Sequence, residues 1–500
     1  MDRRIYIDSL NDGRDVWYNG KKVTDLVKHP VLGRCVKNKA CEYDLHHDPD
    51  LKELFTARDD DGRNICVAYK IPRSSDDLVR YRHALEIALD KVGGGVSDRL
   101  HFGFELGSGL LIHTLSLVRG SFGSKVPKEY VRNLESFYRH CSEQDLTLTT
   151  AFTELKGDQR IPPWNRPLYM RIIKETSKGL IVQGIRRIST GAAYAHEIWT
   201  ATNPDIYRQR FVSSKEVDAH ASMLFLFAVP MNTPGLKIIC RPSEVSLQDR
   251  KFDFPVSWYD EVDAMVIFDN VLVPWERVFS YGDADFMKAY GPGNSVLNEY
   301  SHCISMVSSM EVLVGAAYSI VEQNGLWSNQ VIKQQVADLV VTLCTSKATL
   351  RMAEIEPVQK EAGLLEPSPT MTHVALNHGI NSYQNMLPVV RDLVGGSTTT
   401  SQNYRDLTSP EIGGFVERAF RGTRTGRERL AVIKLIEDLT SSLFAARKSQ
   451  FLSFSLGAPH AKKLTLAEHF DFKPLLDKLN KILNIDNAED EGTQNKQVTS

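Results

Sequence analysis

The chain has 500 residues, of which 42% are hydrophobic and 24% charged, with a formal net charge of −2. That balance describes a globular chain with room for several packed layers. It gives no basic face for nucleic acid or an anionic membrane, and no apolar run reads as a membrane span.

The opening "MDRRIYIDSLNDGRD" is charged at once and lacks the apolar core of a signal peptide, so a cytoplasmic location is expected. The seven cysteines, Cys35, Cys41, Cys66, Cys141, Cys240, Cys303 and Cys344, show no CxxC spacing. They are read as thiols in a reducing compartment, with no metal site. His46-His47, in "YDLHHDPD", is read as a solvated turn.

"SSDDLVRYRHALEIALDKVGGG" begins with cap residues, carries Leu78, Leu85 and Leu89 at helical spacing, and stops at glycines. "GFELGSGLLIHTLSLVRGSFG" and "PKEYVRNLESFYRHCSEQ" predict two more helices. From about residue 146 the chain turns to short β-branched runs: "LTLTTAFTEL", "GLIVQGIRRISTGAAY", "SMLFLFAVPM", "LKIICRP" and "AMVIFDNVLVP". "MNTPG" marks a turn between two of them. Beyond Pro274 long helical patterns return, and the last 17 residues, 484–500, are polar and predicted to be disordered. The expected organisation is a helical domain over 1–145, a β domain over 146–279 and a helical domain over 280–483. Blocks of one element type favour an α+β fold over a doubly wound α/β one. The strand–GxGxxG–helix unit, GxxxxGK[ST], HExxH and GxSxG are all absent, since "VGGGVSDR" follows a helix and has the wrong spacing.

Several stretches carry a resemblance. "IDSLNDGRDVWYNGKKVTDLVKHP", "KETSKGLIVQGIRRISTGAAYAH", "FAVPMNTPGLKIICRPS", "FDNVLVPWERVF" and "YRDLTSPEIGGFVERAFRG" stand in the same order as their counterparts in the 4-hydroxyphenylacetate 3-hydroxylase family. That family comprises oxygenase components of two-component, reduced-flavin-dependent aromatic monooxygenases. The resemblance runs from about Tyr6 to about Leu479. It implies an acyl-CoA dehydrogenase-like fold, with a middle β-barrel between helical domains, assembled as a homotetramer. "FDNVLVPWERVF" is then expected where the last barrel strand leaves for the C-terminal helices, with Trp275 over the domain seam. The implied chemistry is oxygen transfer from a flavin C4a-hydroperoxide, formed from FADH2 and O2, to a small-molecule substrate. A separate NAD(P)H flavin reductase would supply the FADH2, which agrees with the missing dinucleotide motif.

The resemblance also places the flavin contacts. Thr150, Ala151 and Phe152 fall on the family's flavin strand, with Asp158, Gln159 and Arg160 beyond a turn. Arg160 is a candidate partner for pyrophosphate. Thr190 matches a flavin-contacting threonine, against the alternative of a strand residue beside the Gly191 turn. Ser455, Leu456, Gly457 and Ala458 match a loop completing the flavin site, or a plain helix end.

The family's phenol-activating residues are not retained. Its Arg–Tyr loop reads "GGGVSDRLHF" here, and its strand histidine falls on Thr150 or Ala151. Arg99 and His101 are the remaining polar groups of that loop, either binding substrate or forming surface ion pairs. A threonine hydroxyl is no base near neutral pH. A substrate other than a simple phenol is therefore expected: a larger aromatic, an indole or pyrrole, or an amine or imine nitrogen. His196 is either a general base or a hydrogen-bonding residue of the barrel edge. Two rival readings stand beside the oxygenase. One is an acyl-CoA dehydrogenase-like or redox-neutral flavin enzyme, related to 4-hydroxybutyryl-CoA dehydratase but lacking its Fe–S cysteines. The other is a non-catalytic relative.

Overall fold

The computed structural model describes residues 1–91, 108–155, 157–202, 220–243, 251–291, 296–456 and 459–483, without the side chains of 459–461 and 469. The expected tail at 484–500 lies outside the described residues.

The three helices expected in the first part form at Ser75–Lys91, Gly109–Arg119 and Lys128–Gln144. The first is capped as its sequence suggests: Asp77 N donates to Ser74 Oγ at 3.2 Å, and Asp77 Oδ2 accepts from Ser74 N at 3.1 Å. The N-terminal stretch also contributes strands. β1 (Asp15–Tyr18) and β2 (Lys21–Lys22) form a hairpin across Asn19-Gly20, both at positive φ. β1 then runs parallel to β10 (Leu236–Cys240). A small hairpin of β3 (Thr56–Arg58) and β4 (Asn64–Cys66) stands apart.

The middle region builds two sheets. The six-stranded one has the order β2-β1-β10-β11-β7-β6, with β6 at Arg171–Thr176, β7 at Gly179–Thr190 and β11 at Asp263–Pro274. The four-stranded one has the order β12-β9-β8-β5, with β5 at Leu148–Ala151, β8 at Glu197–Ala201, β9 at Phe225–Pro230 and β12 at Val278–Tyr281. A bridge between Glu154 and Arg186 ties the end of β5 to β7. Arg186 is fully buried, and its Nη1 meets Glu154 Oε1 at 2.5 Å.

Pro274 ends β11, but the chain does not leave the barrel there. Trp275–Arg277 turns it into β12, which pairs with β9 of the other sheet. "FDNVLVPWERVF" is thus the corner between the two sheets rather than the exit to the helices. Trp275 Nε1 donates to Thr176 O at 3.0 Å, and Arg277 Nη1 lies 3.1 Å from Glu197 Oε2.

Side-chain alternation gives the four-stranded sheet two buried faces. Ala151, Ile198, Phe225, Phe227, Val229 and Val278 join the core between the sheets. Leu148, Trp199, Ala201, Leu226, Ala228 and Phe279 join the core shared with the N- and C-terminal helices. The long C-terminal helices are Val296–Gln323, Gln330–Ile355, Pro369–Val394 and Gly426–Thr440, followed by Leu443–Phe454. Val296–Gln323 meets the length and hydropathy of a membrane span, which the sequence reading did not register, yet 67% of its most apolar window is buried within the fold.

Candidate active site at the barrel–bundle junction

β5 is the hinge of the site. Thr149 Oγ1 donates to the main-chain oxygen of Thr190 at 2.7 Å, and lies 3.0 Å from Ser189 Oγ. Thr149 therefore points between the sheets, and alternation turns Thr150 toward the helices, beside Leu148. Thr150 stands opposite Trp199 in the parallel β5–β8 register. Trp199 is fully buried, stacks on Phe279 at 5.0 Å and donates from Nε1 to Tyr290 OH at 2.9 Å. Phe152 packs on the same helical-side core. Ala151 faces the other way, and its carbonyl accepts from Thr200 Oγ1 at 2.5 Å.

Thr190 lies at the end of β7, opposite Asp263. Its hydroxyl donates to Asp263 Oδ1 at 2.6 Å, so its oxygen can only accept further bonds. Asp263 belongs to a partly buried ionic group with Asp260, Glu261, Arg241 and Arg447. Burial opposes its charge, but Arg447, Arg241 and the Thr190 hydroxyl together hold its carboxyl below the usual range.

Arg447 sits on the Leu443–Phe454 helix, whose far end meets the bundle. There the His302 Nε2–H donates to Leu452 O at 3.0 Å, leaving Nδ1 to accept from Ser455 Oγ at 3.4 Å. One short helix therefore spans from the Thr190 end of the barrel to Ser455. One turn before His302, Asn298 is 1% exposed, and neither its amide nitrogen nor its oxygen has a hydrogen-bond partner among the described residues. It packs on Gly109, where an added Cβ would come within 2.3 Å of Asn298 Oδ1. Next to it, Glu299 is paired with His373 Nε2 at 2.8 Å and with Lys462. Burial opposes the Glu299 charge, and these two partners draw its carboxyl below the usual range.

Other expected residues stand elsewhere. Asp158, Gln159 and Arg160 are exposed, and Arg160 is forked onto Asp158, with Nη2–Oδ2 at 2.6 Å. His196 accepts at Nδ1 from Thr147 N at 2.9 Å, which leaves its Nε2–H facing Ser9 Oγ at 2.9 Å. It lies at the entrance of β5, three residues and roughly 10 Å of strand before Thr150. Both of its nitrogens are engaged, which leaves neither for proton transfer to a ligand at Thr150. Leu456 packs on the helical-side core. Arg99, His101, Gly457 and Ala458 lie outside the described residues.

Asn298, Asp263 and Arg447 were missed by sequence reasoning. The one available signal was the polar pair Asn298-Glu299 within an otherwise apolar helix. Of Glu354 and Glu356, the two glutamates a dehydrogenase reading could draw on for its base, Glu354 is bound by Arg82 Nε at 2.6 Å and Tyr300 OH at 2.8 Å, and Glu356 is exposed.

Two features fit a flavin at this junction. Among the described residues, the Thr150 hydroxyl forms no hydrogen bond and the buried Asn298 carboxamide has no partner. The architecture is that of the acyl-CoA dehydrogenase-like fold. The sequence models described as 4-hydroxyphenylacetate 3-hydroxylase N terminal and C terminal match residues 3–280 and 293–484. The chain belongs to the 4-hydroxyphenylacetate 3-hydroxylase family. It is 29% identical to the 4-hydroxyphenylacetate 3-monooxygenase oxygenase component of Thermus thermophilus, over 96% of each chain. It is 26% identical to the oxygenase component of a 4-nitrophenol 4-monooxygenase/4-nitrocatechol 2-monooxygenase of Rhodococcus opacus, over 97% of this chain and 91% of the relative. A crystal structure of a 4-hydroxyphenylacetate 3-monooxygenase oxygenase component complexed with FAD and 4-hydroxyphenylacetate superposes with a TM-score of 0.83 at 27% identity, covering 97% of this chain and 98% of the other.

Proposed function

We propose that this chain is the oxygenase component of a two-component monooxygenase. It takes reduced FAD from a separate NAD(P)H flavin reductase. With O2 it oxidises an aromatic, heteroaromatic or nitrogen-bearing small molecule. The observation that carries this reading is the face of β5 that turns Thr150 and Phe152 onto the helical core, within a chain matched end to end by oxygenase components.

When bound, the flavin supplies the oxygen activation that protein side chains lack. The chain's own residues bind, orient and exclude water. Thr150 can donate or accept at the ring. Thr190, its proton committed to Asp263, accepts from a ring N–H. Trp199, Phe279 and Phe137 form a dry wall behind β5, and Ser455 closes the site from the bundle. Arg160 reaches a phosphate by exchanging Asp158, an exposed pair and so a cheap exchange. His196 keeps β5 in place rather than moving a proton.

Asn298 is the substrate or flavin contact that we assign from the bundle, and the family resemblance adds Arg99 and His101 as candidates. Among the described residues no histidine stands beside Thr150, and an arene or nitrogen compound that needs no base there is the substrate class we favour. The exposed Val331, Val341 and Ile355 of the Gln330–Ile355 helix offer an apolar face for a homotetramer. The test is turnover with 18O2, FAD and an independent reductase over a panel of phenols, indoles, pyrroles and amines. Incorporation of 18O into an indole, pyrrole or amine supports the reading. Peroxide release alone across the panel, with no labelled product, counts against it.

A further inference from the structure

Away from the junction, three distant segments meet at one histidine. His46 follows the Leu32–Leu45 helix, Cys66 ends β4, and Asp145 follows the Lys128–Gln144 helix. His46-His47 stand in the turn that the sequence suggested and His47 is exposed, but the His46 ring is largely covered, with Nδ1 3.0 Å from Asp145 Oδ2 and Nε2 3.4 Å from Cys66 Sγ. This is the order thiol, imidazole, carboxylate that activates a cysteine nucleophile: a base in reach of sulfur, and an acid that orients the base. Asp145 is held for the task. It sits in the left-handed region at φ 53, and its second cationic neighbour is the amino group of Met1 at 3.2 Å.

Beside the sulfur lies a cavity of about 30 Å³, lined in part by Tyr43, Phe55, Ala68 and Tyr69. One water needs about 10–15 Å³ by the same measure, so the space takes two linked oxygens and little more. The three groups could also suggest a metal. One ligand atom from each of them lies within 4.8 Å of the other two. That spacing also suits an ion, so zinc occupancy is one outcome that the test below reads.

We propose that Cys66, with His46 and Asp145, is a peroxide-reactive thiol that is converted to a sulfenic acid. The Cys66 sulfur attacks one oxygen of hydrogen peroxide, an S–O bond forms and the O–O bond breaks. Sulfur loses two electrons to the peroxide, and the departing hydroxide takes the proton shared by Cys66 and His46 and leaves as water. Asp145 holds the ring with Nε2 toward sulfur. Burial disfavours a charged His46, but a charged Cys66 and the Asp145 hydrogen bond outweigh it and raise its pKa to about 11. The proposal does not depend on the flavin reading, since any source of peroxide serves.

The test treats the full-length protein with hydrogen peroxide, traps sulfenic acid with a cyclic 1,3-dicarbonyl, and reads each cysteine by peptide mass spectrometry. Cys344, which is exposed and outside any such cluster, is the internal control. Cys66 is expected to label about tenfold faster than Cys344, and His46→Gln and Asp145→Asn to slow Cys66 by about tenfold each without changing Cys344. Labelling of Cys344 at the Cys66 rate or faster overturns the proposal, and that comparison needs no variant to fold. So does an unchanged Cys66 rate in a folded His46→Gln protein, or stoichiometric chelatable zinc that shields Cys66.

Discussion

Thr149 and Thr190 are joined by a 2.7 Å hydrogen bond from the Thr149 hydroxyl to the Thr190 carbonyl, and this contact decides which way Thr150 faces. The two adjacent threonines should therefore behave differently. Thr150→Val keeps shape and loses an unbonded hydroxyl, so unfolding free energy changes by less than about 1 kcal/mol while reduced-FAD affinity falls about fivefold to tenfold. Thr149→Val removes a buried donor and costs about 1–3 kcal/mol of stability, leaving the affinity of the folded protein close to wild type. Urea titration and anaerobic FADH2 binding measure the two effects separately.

Asn298 should show the opposite trade. Its carboxamide is buried with no partner among the described residues, which burdens the protein without ligand. Asn298→Leu is expected to raise stability by about 1–2 kcal/mol and to weaken ligand binding in the same protein. A thermal melt and a binding isotherm check it. Loss of stability with unchanged binding would make Asn298 a packing residue.

Arg447 is the counter-ion of Asp260, Glu261 and Asp263. Replacing it by Met leaves these acids short of charge and is expected to cost about 3–5 kcal/mol, part of which Asp263→Asn restores. A double-mutant cycle in urea reads the coupling.

His196 sets an acid limit. Burial, helped by Arg14 and Lys39, lowers its pKa to about 3, against 6.5 unfolded. Below pH 6.5 the unfolded chain binds a proton that the folded chain refuses, so this contribution is complete above 6.5 and is lost as pH falls toward 3. The slope approaches about 1.4 kcal/mol per pH unit. His196→Gln, which can still accept from Thr147 and donate to Ser9, should flatten the stability profile between pH 4 and 6.5.

Much of the fold was legible because each strand carries its own signal of β-branched runs bounded by Gly, Pro or Asn. The hairpin of β1 and β2 also had its signal, the Asn19-Gly20 pair, but its short polar arms hid it in a region that otherwise reads as helix. The corner at Pro274-Trp275 was misread since proline ends a strand whether or not another follows. The site was less legible. Which face Thr150 takes depends on a bond to Thr190, forty residues away, and Asp263 and Arg447 meet only in the folded chain. Local sequence likewise held nothing to join His46, Cys66 and Asp145.

The most direct measurement is an anaerobic titration of the full-length protein with chemically reduced FAD, followed by flavin fluorescence. Saturation near one FADH2 per chain, tighter than for oxidised FAD and weakened by Thr150→Val, is the predicted result. A signal that rises without saturating, or oxidised FAD held more tightly than reduced, would contradict the account.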